Sequence, residues 1–385
     1  MQKTLFDCIN FSGSFVTKFE GSRKYLSTGV LKKTEINYDE LETVTFQSRP
    51  SRANINVSEG DILFAKMQNT IKVLEITKDI SDLIVSTGFF VIRPKDEVDR
   101  GFLLQFLLSD TFNKQKDKHC TGATQKAVGS GGLKKIVLSL TSLSNQRKSA
   151  SELDAVYGVM ANQKKQHELL DELVKSKFNE MFGDPVKNDK GWTVKSIKDF
   201  SIVKIGPFGS LLHASDYIEN GIPLINPSHI VDSKIVADRK LTLTSDKYKD
   251  MSAYALQRGD VILGRRGEIG RCAVVDNDKY LCGTGSIFIR IKNDYLPMVM
   301  QRIISSDAMR KKLEDVAVGI TMKNLNAGMI ANLQVIVPPL ELQKQFAEFA
   351  NGVEQSKTKL KAEITRTETL YKALMQKYFG EGGLT

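Results

Sequence analysis

The chain repeats itself. Thr87–Gly183 slides onto Thr284–Gly380 without a gap, an offset of 197 (380 − 183). Thr87-Gly88 meets Thr284-Gly285, Ile92-Arg93 meets Ile289-Arg290, Ser109-Asp110 meets Ser306-Asp307, and Gln146 meets Gln343. The pattern Gly122-x-Thr124-x-Lys126 recurs as Gly319-x-Thr321-x-Lys323, and "NEMFG" (179–183) recurs as "QKYFG" (376–380). About 21 of the 97 aligned positions are identical, where chance pairing at average composition gives roughly 6 per 100. Upstream the offset becomes 199 (258 − 59), with "EGDILFAK" (59–66) over "RGDVILGR" (258–265). Two helical tails alike by accident would not hold register across strands, a loop and a helix. A period near 200 residues is too long for a solenoid repeat. The chain is therefore A–B–A′–B′: two copies of a globular unit, each followed by a long element.

The long elements read as helices. In Gln146–Phe182, free of proline, Leu153, Val156, Met160, Gln163, His167, Leu170, Val174 and Met181 follow a 3-4 spacing. In Gln343–Phe379, Phe346, Phe349, Val353, Leu360, Ile364, Tyr371, Leu374 and Tyr378 share one side. Each stripe has the width of a coiled-coil seam rather than a core-facing helix. About 36 residues at 1.5 Å each span about 54 Å. The expected seam sets Leu153, Val156, Met160, Leu170 and Val174 against Val353, Leu360, Ile364 and Tyr371. Helices at equivalent places in a duplicated chain pair antiparallel about a pseudo-twofold axis, with the globular copies at opposite ends of the rod. The competing arrangement packs each helix on its own copy alone. Gly183-Asp184-Pro185 and Gly380 end the two helices.

The rest reads as short strands and loops. "DILFAK", "GFFVIRP", "KKIVLSL", "DVILGR", "SIFIRI" and "LQVIVPP" are brief, apolar and rich in β-branched residues. Leu103–Asp117 and Pro297–Asp315 read as one helix in each copy. The expected fold is α+β (mixed α/β), an internal duplication of two similar globular domains separated by two long antiparallel helices. The segments are 1–145, the first globular copy; 146–183, the central helix; 184–341, the second copy; and 342–385, the C-terminal helix.

Composition narrows the function. The 385 residues carry a net charge of +10 and a pI near 9.2, which favours a polyanion partner. Met1–Asn10 lacks a signal-peptide pattern, and no run of eighteen apolar residues suggests a membrane span. Cys8, Cys120, Cys272 and Cys282 lack zinc spacing and read as reduced cytosolic thiols, so a cytoplasmic protein is expected. No G-x-x-x-x-G-K-[ST] occurs. "GRRGEIG" (264–270) is G-x-x-G-x-x-G, not a dinucleotide fingerprint. Val337 and Leu340 flank Pro338-Pro339 where an amino-methyltransferase wants Asp or Asn before and an aromatic after. No nuclease-like carboxylate cluster and no G-x-S-x-G elbow is present. The chain reads as non-catalytic, with no metal and no cofactor of its own.

DNA recognition needs cations for phosphates and hydrogen-bonding side chains for base edges. The repeated loops supply both. The first copy offers Arg23, Lys24, Arg49, Arg52, Lys66, Gln68, Asn69, Thr124 and Lys126. The second offers Lys204, Ser210, Asn226, His229, Arg265, Arg266, Thr321, Lys323 and Asn324. Any one of these alone is ordinary surface charge; mirrored in both copies, they read as a set. "LFAKMQNTIKVLEIT" (63–77) stands where the second copy has "ILGRRGEIGRCAVV" (262–275). A like frame with different polar tips predicts two half-sites and an unread spacer. The alternative is a coiled-coil scaffold whose basic loops are incidental.

"KIGPFGSLLHASDYIENGIPLINPSHI" (204–230), "GDVILGRRGEIGRCAVV" (259–275), "GITMKNLNAGMIANLQVIVPPLELQKQF" (319–346) and "KSKFNEMFGDP" (175–185) carry a resemblance over nearly the whole chain. It resembles the specificity subunit of type I restriction–modification systems. The first copy departs most, having no counterpart of "GPFGS" near its start. The resemblance implies target recognition domains that bind double-stranded DNA, and paired spacer helices that dock two methyltransferase (modification) subunits. Two motor-nuclease (restriction) subunits would add cleavage. It also implies that S-adenosylmethionine and ATP with Mg belong to those partners.

Overall fold

The structure, a computed structural model, describes residues 1–207, 211–292, 294–317 and 324–380. The chain forms two compact units, Met1–Lys165 with Lys361–Thr385, and Gln166–Leu360. Each unit takes one globular copy and part of both long helices.

Both units are built on the same four-stranded antiparallel sheet. In the first the order is Val73–Glu75, Ile62–Ala65, Phe89–Pro94, Ile9–Phe11. In the second it is Cys272–Val274, Val261–Gly264, Ser286–Ile291, Ser201–Ile205. Ile62–Ala65 and Val261–Gly264 are buried at every position, which is why they read as unbroken apolar runs rather than alternating ones. A two-stranded ladder follows in each unit, Gln2–Thr4 with Val137–Ser139 and Thr193–Ser196 with Gln334–Val337. A five-stranded sheet stacks beyond, each with one parallel pair: Arg23–Leu26 beside Ile84–Ser86, and Ile222–Ile225 beside Tyr280–Cys282.

The helix expected over Leu103–Asp117 is two helices, Arg100–Leu108 and Asp110–Lys118. That expected over Pro297–Asp315 is likewise two, Pro297–Ser305 and Asp307–Val316. A serine makes each break. Ser109 and Ser306 are extended (ψ 150° and 147°) and accept from the N–H groups of Phe112 and Met309. Each hydroxyl donates back to the preceding helix, to Phe106 O at 2.6 Å and Ile303 O at 2.7 Å. An N-cap serine competes with helix continuation, and here it wins.

Two buried groups pin each chassis. Gln146 accepts from Asp99 N (2.9 Å) and donates to Thr141 O (2.9 Å); Gln343 accepts from Leu296 N and donates to Pro338 O, both at 2.8 Å. All partners correspond at the offset of 197. Asp61 and Asp260, 1% and 2% exposed, take Arg93 (2.6 Å) and Arg290 (2.9 and 2.7 Å).

The long helices run Leu143–Phe182 and Leu340–Phe379, 40 residues each. Within the first unit their segments run antiparallel: Glu152 meets Tyr378, the Tyr157 and Tyr371 rings lie 5.9 Å apart, and Lys164 pairs with Glu368 at 2.8 Å. Within the second, Asp171 pairs with Lys357 at 2.5 Å and Phe178 packs on Phe346 at 5.4 Å. Leu153, Met160, Val174, Val353, Leu360 and Tyr371 are buried; Val156, Leu170 and Ile364 are half-buried. The seam is not separate from the globular cores. The Phe379 ring packs, tilted, against Phe102 and Phe106 at 5.0 and 5.7 Å in the first, and Val174, Phe178 and Phe182 join the core of the second.

Candidate nucleic-acid interface

The central strand of each four-stranded sheet ends in a tight tip. Ile62–Ala65 turns through residues 66–72 and returns as Val73–Glu75. Val261–Gly264 turns through residues 265–271 and returns as Cys272–Val274. A second loop is laced to each tip. Met67 forms a single antiparallel bridge with Ala127, and Arg266 with Asn324. These are equivalent pairs, since 67 + 199 = 266 and 127 + 197 = 324. Gln68 N donates to Lys126 O, and Leu325 N to Arg265 O, both at 3.0 Å. In the first unit the hairpin tip and the Gly-x-Thr-x-Lys loop thus form one surface; in the second the tip is tied to Asn324 and Leu325, which follow the corresponding loop in sequence. Thr321 and Lys323 of the second loop lie outside the described residues, as does Ser210.

On the first surface Asn69, Thr124 and Lys126 are exposed and Gln68 is half-buried. Asn69 sits at φ +56°, a left-handed turn that Asn tolerates better than most residues. Asp117 braces this tip: its carboxylate accepts from Asn69 N (3.0 Å), and its carbonyl accepts from Gln68 Nε2 (3.3 Å). On the second surface Arg266 is exposed, while Arg265 and Asn324 are half-buried. Arg265 Nε donates to Asn324 Oδ1 at 3.0 Å. Burial, then the neighbouring Arg266, pulls the Arg265 pKa below its ordinary value. Two adjacent cations, one partly desolvated, make a tip that an anion relieves.

Several residues expected to contact DNA also make bonds within the fold. Arg23 donates to Asp82 O (2.8 Å) and Asn56 Oδ1 (2.9 Å), and its guanidinium lies over Phe19. Arg49 donates to Ala53 O (2.6 Å) and lies 5.0 Å over Phe46. Lys66 donates to Thr87 O (2.8 Å), lies 4.4 Å over Phe90, and burial lowers its pKa. His229 is a correction: it is 6% exposed, with Nδ1 3.0 Å from Leu224 O, so it is packed inside its turn and shows no face to a duplex. Asn226 is half-buried in that turn, its backbone N–H pointing at His229 Nδ1. Lys24, Arg52 and Lys204 are exposed. The brace residues Lys116 and Asp117, and the Phe19–Phe46 pair that carries the two arginines (rings 5.9 Å apart), were not among the expected residues.

Among the described residues no group of three or more His, Cys, Asp or Glu is placed to hold a metal. Burial pushes the Cys8 thiol up to about 11 and the Cys272 thiol up to about 12, so neither is a ready thiolate. No described helix is long and apolar enough to cross a membrane.

The family model described as "Type I restriction modification DNA specificity domain" matches residues 11–171 and 189–366. The "Type I restriction enzyme MjaIX specificity subunit" of Methanocaldococcus jannaschii is 23% identical over 323 residues, 78% of this chain and 73% of that protein. The "Type I restriction enzyme MjaVIII specificity subunit" of the same organism is 22% identical over 334 residues, 82% and 77% of the two chains. Two solved structures share the fold. One is described as "Structural basis underlying complex assembly and conformational transition of the type I R-M system" (TM-score 0.62, 18% identity, 100% of this chain and 98% of that one). The other is a type I restriction–modification S subunit from M. genitalium (TM-score 0.59, 14% identity, 100% and 96%).

Proposed function

The chain belongs to the family of type I restriction modification DNA specificity domains, and from that premise we propose that it reads DNA for a type I restriction–modification enzyme. Each globular copy reads one half of a bipartite duplex target. The observation that carries this is the tip-and-loop surface, built twice by equivalent backbone pairs from different side chains. Gln68 and Asn69 offer the amide groups that pair with adenine; Arg265 and Arg266 suit guanine or phosphate. The net charge of +10 supplies the non-specific attraction.

Catalysis belongs to partners: two methyltransferase subunits carrying S-adenosylmethionine, joined by two motor-nuclease subunits with ATP and Mg when the enzyme restricts. The long helices dock the methyltransferase. In the second unit, Leu170, Leu173, Phe349 and Val353 line an open groove of about 580 Å³ between the two helices, and Leu169 and Leu173 are 50% and 46% exposed. Such exposed apolar area on a charged helix suits a partner helix. The helices also set the half-site separation. Seven residues added to each, after Lys164 and after Leu360, lengthen the rod by about 10 Å, roughly three base pairs. The chain works in the cytoplasm, where the DNA is.

Methylome sequencing of a host that carries this chain and its methyltransferase tests the reading. A two-part motif is expected, and Arg265→Ala with Arg266→Ala should make one part degenerate while the other stays defined. An unaltered motif would remove the tip from the reading surface.

A further inference from the structure

Lys116 is a lysine in a hydrophobic core. It lies on the helix Asp110–Lys118, its side chain 1% exposed, among Phe112 and the base of the tip. Its Nζ donates to Thr70 O, and Asp117 Oδ1 stands 3.7 Å away. Burying an ammonium is expensive unless it is paired and hydrogen-bonded. Here the pairing runs straight into the tip: Thr70 Oγ1 donates to Gln68 O (3.1 Å), Asp117 accepts from Asn69 N, and Gln68 N donates to Lys126 O. Both side-chain hydrogen bonds of the Lys116–Asp117 pair that leave the helix end on the tip, at Thr70 and Asn69.

The other copy solves the same problem without charge. The residue at the offset of 197 is Leu313, 0% exposed, and Ile269 of the tip, 5% exposed, belongs to the same apolar core. Lys116 is thus not needed to fold a module of this design. We propose that Lys116 is a positioning residue for DNA reading: it fixes the Met67–Thr70 tip in the conformation that presents Gln68 and Asn69 to bases. A side chain cannot hold a backbone carbonyl in a defined place by apolar contact as it can by a directed donor. The inference rests on the proposed reading of the tip as a DNA contact.

Lys116→Met, an apolar chain of similar length, is the test, assembled with the methyltransferase. The methylome of the host should lose definition in one half of the motif. On duplexes carrying the motif with that half altered or intact, discrimination should fall at least tenfold, with discrimination at the other half unchanged. Amide hydrogen exchange at residues 67–70 should quicken at least tenfold in the free subunit, without comparable change in the strand Ile62–Ala65. A purely structural lysine would lower the melting temperature and weaken both halves alike. That outcome, or full discrimination with a loosened tip, overturns the proposal. Should Lys116→Met not fold, Asp117→Ala removes the acceptor for Asn69 N and carries the same expectations. Gln68→Ala with Asn69→Ala separates the two levels. If this pair blurs one half and Lys116→Met does not, only the positioning role falls. If this pair changes nothing, the tip does not read DNA and both ideas fall.

Discussion

The two units share a chassis and differ at its edges. Buried glutamine, Asp–Arg pair, serine break and bridge between tip and loop recur at equivalent positions. The five-stranded sheets do not match so closely. The first has its extra edge strand, Ser14–Phe15, beside Ala53–Asn56; the second has Tyr217–Ile218 beside Thr242–Leu243, at the opposite edge. The outer face of the first is covered by Phe19 and Phe46, and that of the second by Tyr217, Tyr248 and Tyr254. One tip is anchored by a buried ammonium, the other by apolar packing. What repeats is what places the surface. What varies is what the surface touches.

That division can be broken most decisively in the cores. Phe379→Ala should destabilise the first unit by about 3–5 kcal/mol, the usual figure for a buried Phe. The single tryptophan, Trp192, lies in the second unit. Its fluorescence transition in guanidinium should therefore stay in place while far-ultraviolet circular dichroism gains an earlier step. If the tryptophan transition moves equally, the units do not unfold as distinct bodies. Next come Gln146→Ala and Gln343→Ala. Each leaves a backbone N–H and a carbonyl, most of them only partly buried, without their glutamine partner, so each should cost about 1–3 kcal/mol, and by denaturant titration the two losses should agree within about 1 kcal/mol. A large disparity would mean that the chassis are less alike than their bonds suggest.

The tips give half-specific effects. Gln68→Ala with Asn69→Ala, and Arg265→Ala with Arg266→Ala, should each remove about 1–3 kcal/mol of discrimination, from opposite halves of the target. Binding titrations on half-altered duplexes check this. The arginine pair alone should also flatten the dependence of log affinity on log salt, by up to about 2 units for two phosphate contacts. An equal flattening from the Gln68–Asn69 pair would put phosphate contacts where base contacts are expected. Smallest of all is His229→Gln. It alters a packed turn, so stability should drop by about 1 kcal/mol while the target is read as before; a changed target would restore the histidine to the reading surface.

The duplication, the strands and the long helices were legible because each rests on periodicity along the chain. The serine breaks were not, although Ser109-Asp110 and Ser306-Asp307 carry the N-cap signature, because the apolar pattern runs on through both. The site was legible only in outline. Arg23, Arg49 and Lys66 look like free surface cations in sequence, yet their acceptors include the backbone carbonyls of Asp82, Ala53 and Thr87, and no residue type announces an acceptor of that kind. His229 misled for a like reason, since its partner is the carbonyl of Leu224. Lys116 left one trace: the repeat aligns it with Leu313, and a charge opposite a leucine asks where that charge goes.

The first unit is completed by the far end of the chain. Tyr371, Tyr378 and Phe379 belong to the same core as Leu5 and Phe102, whereas the second unit is one continuous stretch, Gln166–Leu360. On the ribosome this inverts the usual order. The 195 residues of that stretch (360 − 166 + 1) take roughly 10–40 s to translate at about 5–20 residues per second. Throughout that time Phe102 and Phe106 wait for a ring not yet synthesised. The half of the protein made first is the last to be finished, and a nascent chain stalled before residue 371 leaves its opening half unsealed while its later half is whole.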